Sequence, residues 1–84
     1  MKNKTLFSIR LAAANRSFEM WVPDELSIYE ATQLIIGILQ EQESRRFKAD
    51  RSTSLYHEDS GTELDVDKLV GEYNFVDGTQ LVLV

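Results

Sequence analysis

Cysteine is absent from this chain, which excludes a disulfide framework and a thiolate zinc site and leaves packing alone to hold the fold. Histidine occurs once, at His57, so neither a Cys-His pair nor a Ser-His-Asp set finds its partners. Positive charge is in deficit. The 9 Lys and Arg against 14 Asp and Glu leave a formal charge of -5, which argues against a phosphate-tracking nucleic-acid binder. No apolar run approaches the ~18 residues that a membrane span requires, so direct membrane insertion is not expected. The 4 glycines, Gly37, Gly61, Gly71 and Gly78, are scattered and form no phosphate-cradling loop. Acidic residues at Glu63, Asp65 and Asp67 alternate as a calcium loop begins, but Lys68 and Asn74 then stand at its glycine and glutamate positions. A solvated turn is the reading there. No catalytic residue, metal ligand or cofactor is expected.

What is present supports a globular domain. Hydrophobic residues make up 43% and aromatics 10% of the 84 residues, enough for one core and one domain spanning 1–84. Lys2 and Lys4 precede an alternating segment and not a signal-peptide apolar block, so a soluble cytoplasmic protein is expected.

Residues 5–11 alternate, with Phe7, Ile9 and Leu11 pointing one way and Leu6, Ser8 and Arg10 the other, as in a half-buried strand. Residues 18–22 repeat the pattern, with Phe18, Met20 and Val22 inward and Glu19 and Trp21 outward. A short connection makes the two a hairpin, and Pro23 ends the second strand because it cannot donate to a ladder. Residues 26–42 then read as an amphipathic helix of about 15 residues, roughly 22 Å long. Its expected core face is Ile28, Ala31, Ile35, Ile38 and Leu39, with Leu34 at the edge. Ser27 and Glu30 have capping-box spacing, and Leu26 and Ala31 sit where a hydrophobic staple closes. Gly37 faces away from the core at a cost near ~1 kcal/mol, read as chance tolerance with a close partner approach as the sharper alternative.

After Gln42 the periodicity fails. Arg45, Arg46, Lys48 and Arg51 read as a helix C-terminus and solvated loop, with a basic patch for an acidic partner as the sharper alternative. A short strand at 54–57 ends on His57, followed by a turn at 58–61 and a stub at 62–64 that pairs back. Asp67 is expected to cap a short helical turn through Val70. Residues 79–84 are apolar on both sides and belong in mid-sheet. The order β-β-α-β-β-β describes an α+β domain, a mixed five-stranded sheet on one main helix.

That order resembles the β-grasp, or ubiquitin-like, superfamily. The resembling residues are Val22–Pro23 with Ser27–Ile28 and Glu30–Ala31, then Asp59 to Leu64, Leu69, Tyr73 to Phe75, Asp77 to Thr79 and Leu81 to Leu83. Within it the chain is most similar to the YukD/EsaB group of small bacterial proteins linked to type VII secretion. The Pro23–Asp24 junction, the helix end from Leu34 to Leu39, the Gly61 to Leu64 piece and an ending inside the last strand carry that likeness. The resemblance implies a protein partner, such as a membrane component or ATPase of the secretion machinery, and transfers no catalytic residue. The alternative role in the superfamily, ubiquitin-like modifier or sulfur carrier, works through a flexible C-terminal Gly-Gly. Here the sequence reads Val82-Leu83-Val84 with no glycine after Gly78, which disfavours that chemistry.

With one helix, only one sheet face is covered. The open face is expected to carry Leu6, Ser8, Arg10, Trp21, Tyr56, Val82 and Val84. Of these, Arg10, Trp21, Tyr56, Val82 and Val84 are the candidate partner-binding residues, since exposed aromatics with arginine are hot-spot chemistry. Two readings of Trp21 stand side by side: a binding anchor, or a ring lying over Ser8 to stabilise the hairpin. Tyr29 and Ile36 form a second flank, expected at the edge of the core. Homodimerisation through the exposed edge of the second strand is a further expectation.

Overall fold

Alternation at both ends of the chain and helical spacing between them produce, among the described residues, one sheet with one α-helix laid across it. The computed structural model describes residues 3–13, 15–42 and 53–84; the basic positions Arg45, Arg46, Lys48 and Arg51 lie outside the described residues. In chain order the elements are β1 (Lys4–Leu11), β2 (Arg16–Pro23), α1 (Ile28–Gln42), β3 (Leu55–His57), β4 (Thr62–Glu63), a 3-10 turn (Val70–Tyr73) and β5 (Thr79–Leu83). The sheet order is β2-β1-β5-β3-β4, with β1 and β5 parallel and the other neighbours antiparallel. The apolar β5 is the central strand, as its two-sided apolar character requires.

The core is the inner face of that sheet against α1. Phe7, Ile9 and Leu11 of β1, Val22 of β2, Leu55 of β3 and Leu81 and Leu83 of β5 are all buried. They meet Ile28, Ala31, Ile35, Ile36 and Leu39 of α1. Each of these side chains other than Ala31 contributes about 1.5–3 kcal/mol through apolar burial. The helix is turned slightly from its expected orientation. Ile36 and Thr32 are buried, whereas Ile38 is half-buried and Leu34 exposed. Thr32 tolerates burial because its hydroxyl donates to the Ile28 carbonyl at 2.7 Å.

The start of α1 is fixed twice. Ser27 Oγ accepts from Glu30 N–H at 3.0 Å, and Glu30 Oε1 accepts from Ser27 N–H at 3.0 Å, a closed capping box. The segment before and through the 3-10 turn then runs alongside. Ile28 N–H donates to the Lys68 carbonyl at 2.7 Å and Tyr29 N–H to Val66 at 3.1 Å. In return, Val70 N–H donates to Leu26 at 2.8 Å and Gly71 N–H to Asp24 at 2.9 Å. Donors that a helix start normally leaves orphaned are thereby satisfied by protein. A side chain at Gly71 would meet Asp24 at 3.1 Å, so glycine lets the two backbones approach.

The expected Asp67 cap is corrected here. The helical turn starts later, at Val70, with Leu69 at its N-cap and no side-chain cap bond. Asp67 instead donates its own N–H to Asp65 Oδ1 at 2.9 Å, an Asx turn.

Candidate functional site

The open face follows from register. Leu6 sits opposite Trp21; Ser8 opposite Glu19 and Gln80; Arg10 opposite Ser17 and Val82, which in turn faces Tyr56. Strand alternation places all of these on the side away from α1. The candidates Arg10, Val82 and Tyr56 therefore share one cross-strand row. Trp21 does not join them: its row lies four residues along β1, about 13 Å away. Between the two rows runs a polar one of Ser8, Glu19 and Gln80. The face thus offers two small patches.

At the first patch Trp21 is 49% exposed, with Leu6 half-buried beside it and Lys4 Nζ 5.1 Å from the ring centroid. The expected cover over Ser8 is corrected to Leu6, because the hairpin register sets Leu6 directly opposite Trp21. The Lys4 ammonium over the indole is a cation–π contact worth about 0.5–1 kcal/mol at an exposed site.

At the second patch Val82 is only 8% exposed although it faces away from the core cluster. Its flanking neighbours Arg10 and Tyr56 cover it, so it forms the floor of the patch and not a projecting anchor. Arg10 Nε donates to Glu58 Oε1 at 2.9 Å, a pair whose side chains are 39% and 30% exposed. A partner carboxylate at Arg10 would compete with Glu58. Tyr56 is half-buried and Val84 is 61% exposed beyond the strand end.

Elsewhere, Tyr29 proves 58% exposed, against the expected edge-of-core burial, while Ile36 is buried as expected. Both line a groove of about 670 Å³ between α1 and the β3–β4 side, walled also by Thr32, Leu55, Leu64 and Val66. Glu63 is the only acidic or basic residue lining it among the described residues. His57 Nδ1 and Ser60 Oγ share a hydrogen bond of 2.9 Å, and the imidazole stacks on Phe75 at 5.2 Å. Phe75 in turn stacks on Tyr73 at 5.0 Å and meets Phe7 edge-on at 5.8 Å. This aromatic cluster escaped sequence reading. Its signal is Asn74, whose left-handed φ of 53° turns the backbone between the two rings. Among the described residues no group of His, Cys, Asp or Glu is arranged to hold a metal. No helix among them is long and apolar enough to cross a membrane.

A helix on one face of a mixed sheet ordered β2-β1-β5-β3-β4 is an arrangement met repeatedly among solved structures. The ubiquitin-like domain of the Mycobacterium tuberculosis type VII secretion system protein EccD1 superposes with a TM-score of 0.75, at 18% identity, covering 100% of this chain and 99% of that one. The fold is ubiquitin-like. The EccD5 ubiquitin-like domain from Mycobacterium xenopi gives a TM-score of 0.77 at 18% identity, covering 99% of this chain and 94% of that one. A chain of the MycP5-free ESX-5 inner membrane complex matches at 0.78 and 15% identity, covering 99% of this chain and 21% of that one. No protein-family model matches the sequence, and no curated protein matches it. At such identities the likeness carries the architecture. In ubiquitin-like terms, the candidate patches lie on the sheet face opposite the helix.

Proposed function

We propose that this ubiquitin-like chain is a non-catalytic protein-interaction module. It serves as a cytoplasmic accessory or regulatory component of a bacterial type VII (WXG100-type) secretion system, docking through its open sheet face onto a larger protein. The observation that carries the reading is Trp21, a large aromatic left half-exposed beside half-buried Leu6 on a face that no helix among the described residues covers. Aromatic rings of this kind lose little conformational entropy on binding and bury large areas, which is why a few of them dominate interfaces. The Arg10–Glu58 pair at the other patch supplies charge that fixes orientation more than it adds affinity. The YukD/EsaB resemblance and the fold shared with EccD domains support the choice of secretion as the setting. A membrane component or ATPase of that machinery is the class of partner proposed.

The test is capture of secretion components from the native cell by the wild-type chain and by a Trp21→Ala, Tyr56→Ala variant. The variant is first shown to be folded by circular dichroism. Loss of Trp21 as an anchor should weaken capture by about 2 kcal/mol, roughly 30-fold. Unchanged capture would overturn the reading. Formation of an adenylate on the C-terminal carboxylate, with ATP and an activating enzyme, would replace it with the carrier role.

A further inference from the structure

The outer edge of β2 bears a row of backbone groups that the fold does not use. Asp24 N–H donates to the Asn3 carbonyl at 2.9 Å, so the residues of β2 that bond to β1 are the even-numbered ones, Arg16 to Val22. The Gly78 N–H bonded to the Leu6 carbonyl at 2.8 Å confirms the parity from the other side of β1. The N–H and C=O groups of Ser17, Glu19 and Trp21 therefore point away from the sheet, and among the described residues no backbone group bonds to them. The row has defined ends. Asn15, at φ 50°, turns the chain out of the strand before it, and Pro23 has no N–H to add after it.

We propose that this edge pairs with a second copy of the chain, antiparallel about a two-fold axis at Met20. Glu19 of each copy then exchanges both backbone bonds with Trp21 of the other. Charge chooses this register. A two-fold centred on Glu19 sets like charges directly opposite, which is destabilising. Centring on Phe18 sets Trp21 against Asn15, whose backbone has left the strand. Centring on Met20 sets Glu19 opposite the partner's Trp21, whose ring carries Lys4 Nζ at 5.1 Å. Unlike charges thus meet on the outer face of the joined strands. On the inner side half-buried Met20 meets Met20, extending apolar contact across the seam, while half-buried Phe18 lies opposite the already buried Val22. Such a two-fold stands perpendicular to the sheet. Both helices stay on one side, and both open faces join on the other as a single surface with each patch duplicated. The pairing stands whether or not that face docks a secretion partner.

Sedimentation velocity of the full chain tests it, carried up to about 1 mM because so small an interface belongs to the weak class. The expected result is a concentration-dependent dimer in which the amides of Ser17, Glu19 and Trp21 gain hydrogen-exchange protection while those of Phe18 and Met20 do not change. Glu19→Lys and Lys4→Glu should each weaken dimerisation about tenfold, and the double variant should restore it. Glu19→Pro should abolish it without loss of fold, since the N–H it removes faces outward. A monomer at every concentration would overturn the proposal. So would a dimer whose odd-numbered β2 amides exchange as in the monomer, or one that the double charge swap fails to restore.

Discussion

The two sides of β1 share one backbone and differ in what lies across them. Phe7, Ile9 and Leu11 are exposed by 2% or less beneath α1, while Leu6, Ser8 and Arg10 on the reverse remain half-buried beside neighbouring strands and turns. The inner side is closed by shape: close packing leaves no room for a change of volume. The outer side is held by contacts that a partner could displace, namely an ion pair, a cation–π stack and a cross-strand aliphatic. Stability and recognition are thus divided between adjacent residues of one strand.

Truncating the inner side should cost most. Ile9→Ala, at a fully buried position, should lower unfolding free energy by about 3–4 kcal/mol in urea denaturation. Removing the cap of the helix that creates the difference should cost less: Ser27→Ala, which opens the capping box, by about 1 kcal/mol in the same assay. On the outer side, Trp21→Ala should cost less than about 1 kcal/mol, the worth of its cross-strand and cation–π contacts, while reducing partner capture. Smallest of all, Arg10→Gln should change stability by about 0.5 kcal/mol or less, because its pair with Glu58 is partly exposed and screened by solvent. If Trp21→Ala matched Ile9→Ala in stability, the outer side would be a second core and the division would fail.

Much of this was legible in the residues. Period-two alternation predicted both sides of β1 and β2, and Ser27 with Glu30 marked the helix start in the register observed. Asp77–Gly78 marked a turn, and Gly78 adopts φ 92°, which favours glycine. The candidate site was less legible. Val82 alternates as an outward residue should, yet its neighbours on adjacent strands bury it, and only the sheet order reveals who those neighbours are. The partner of Trp21 depends on how the turn sets the hairpin register, and Arg10 with Glu58 depends on a contact between distant segments. The rotation of α1 that buries Ile36 instead of Ile38 arises because both lie within the wide apolar stripe.

The stretch from Val66 to Gly71, hydrogen-bonded along the start of α1, sets an order of events for synthesis. Ile28 and Tyr29 owe their backbone partners to residues that leave the ribosome long after them. The helix can wind earlier, but its beginning stays loose until those carbonyls arrive. A nascent chain halted before Val66 should therefore hold a hairpin and a frayed helix, and release of the few residues that follow should set both at once.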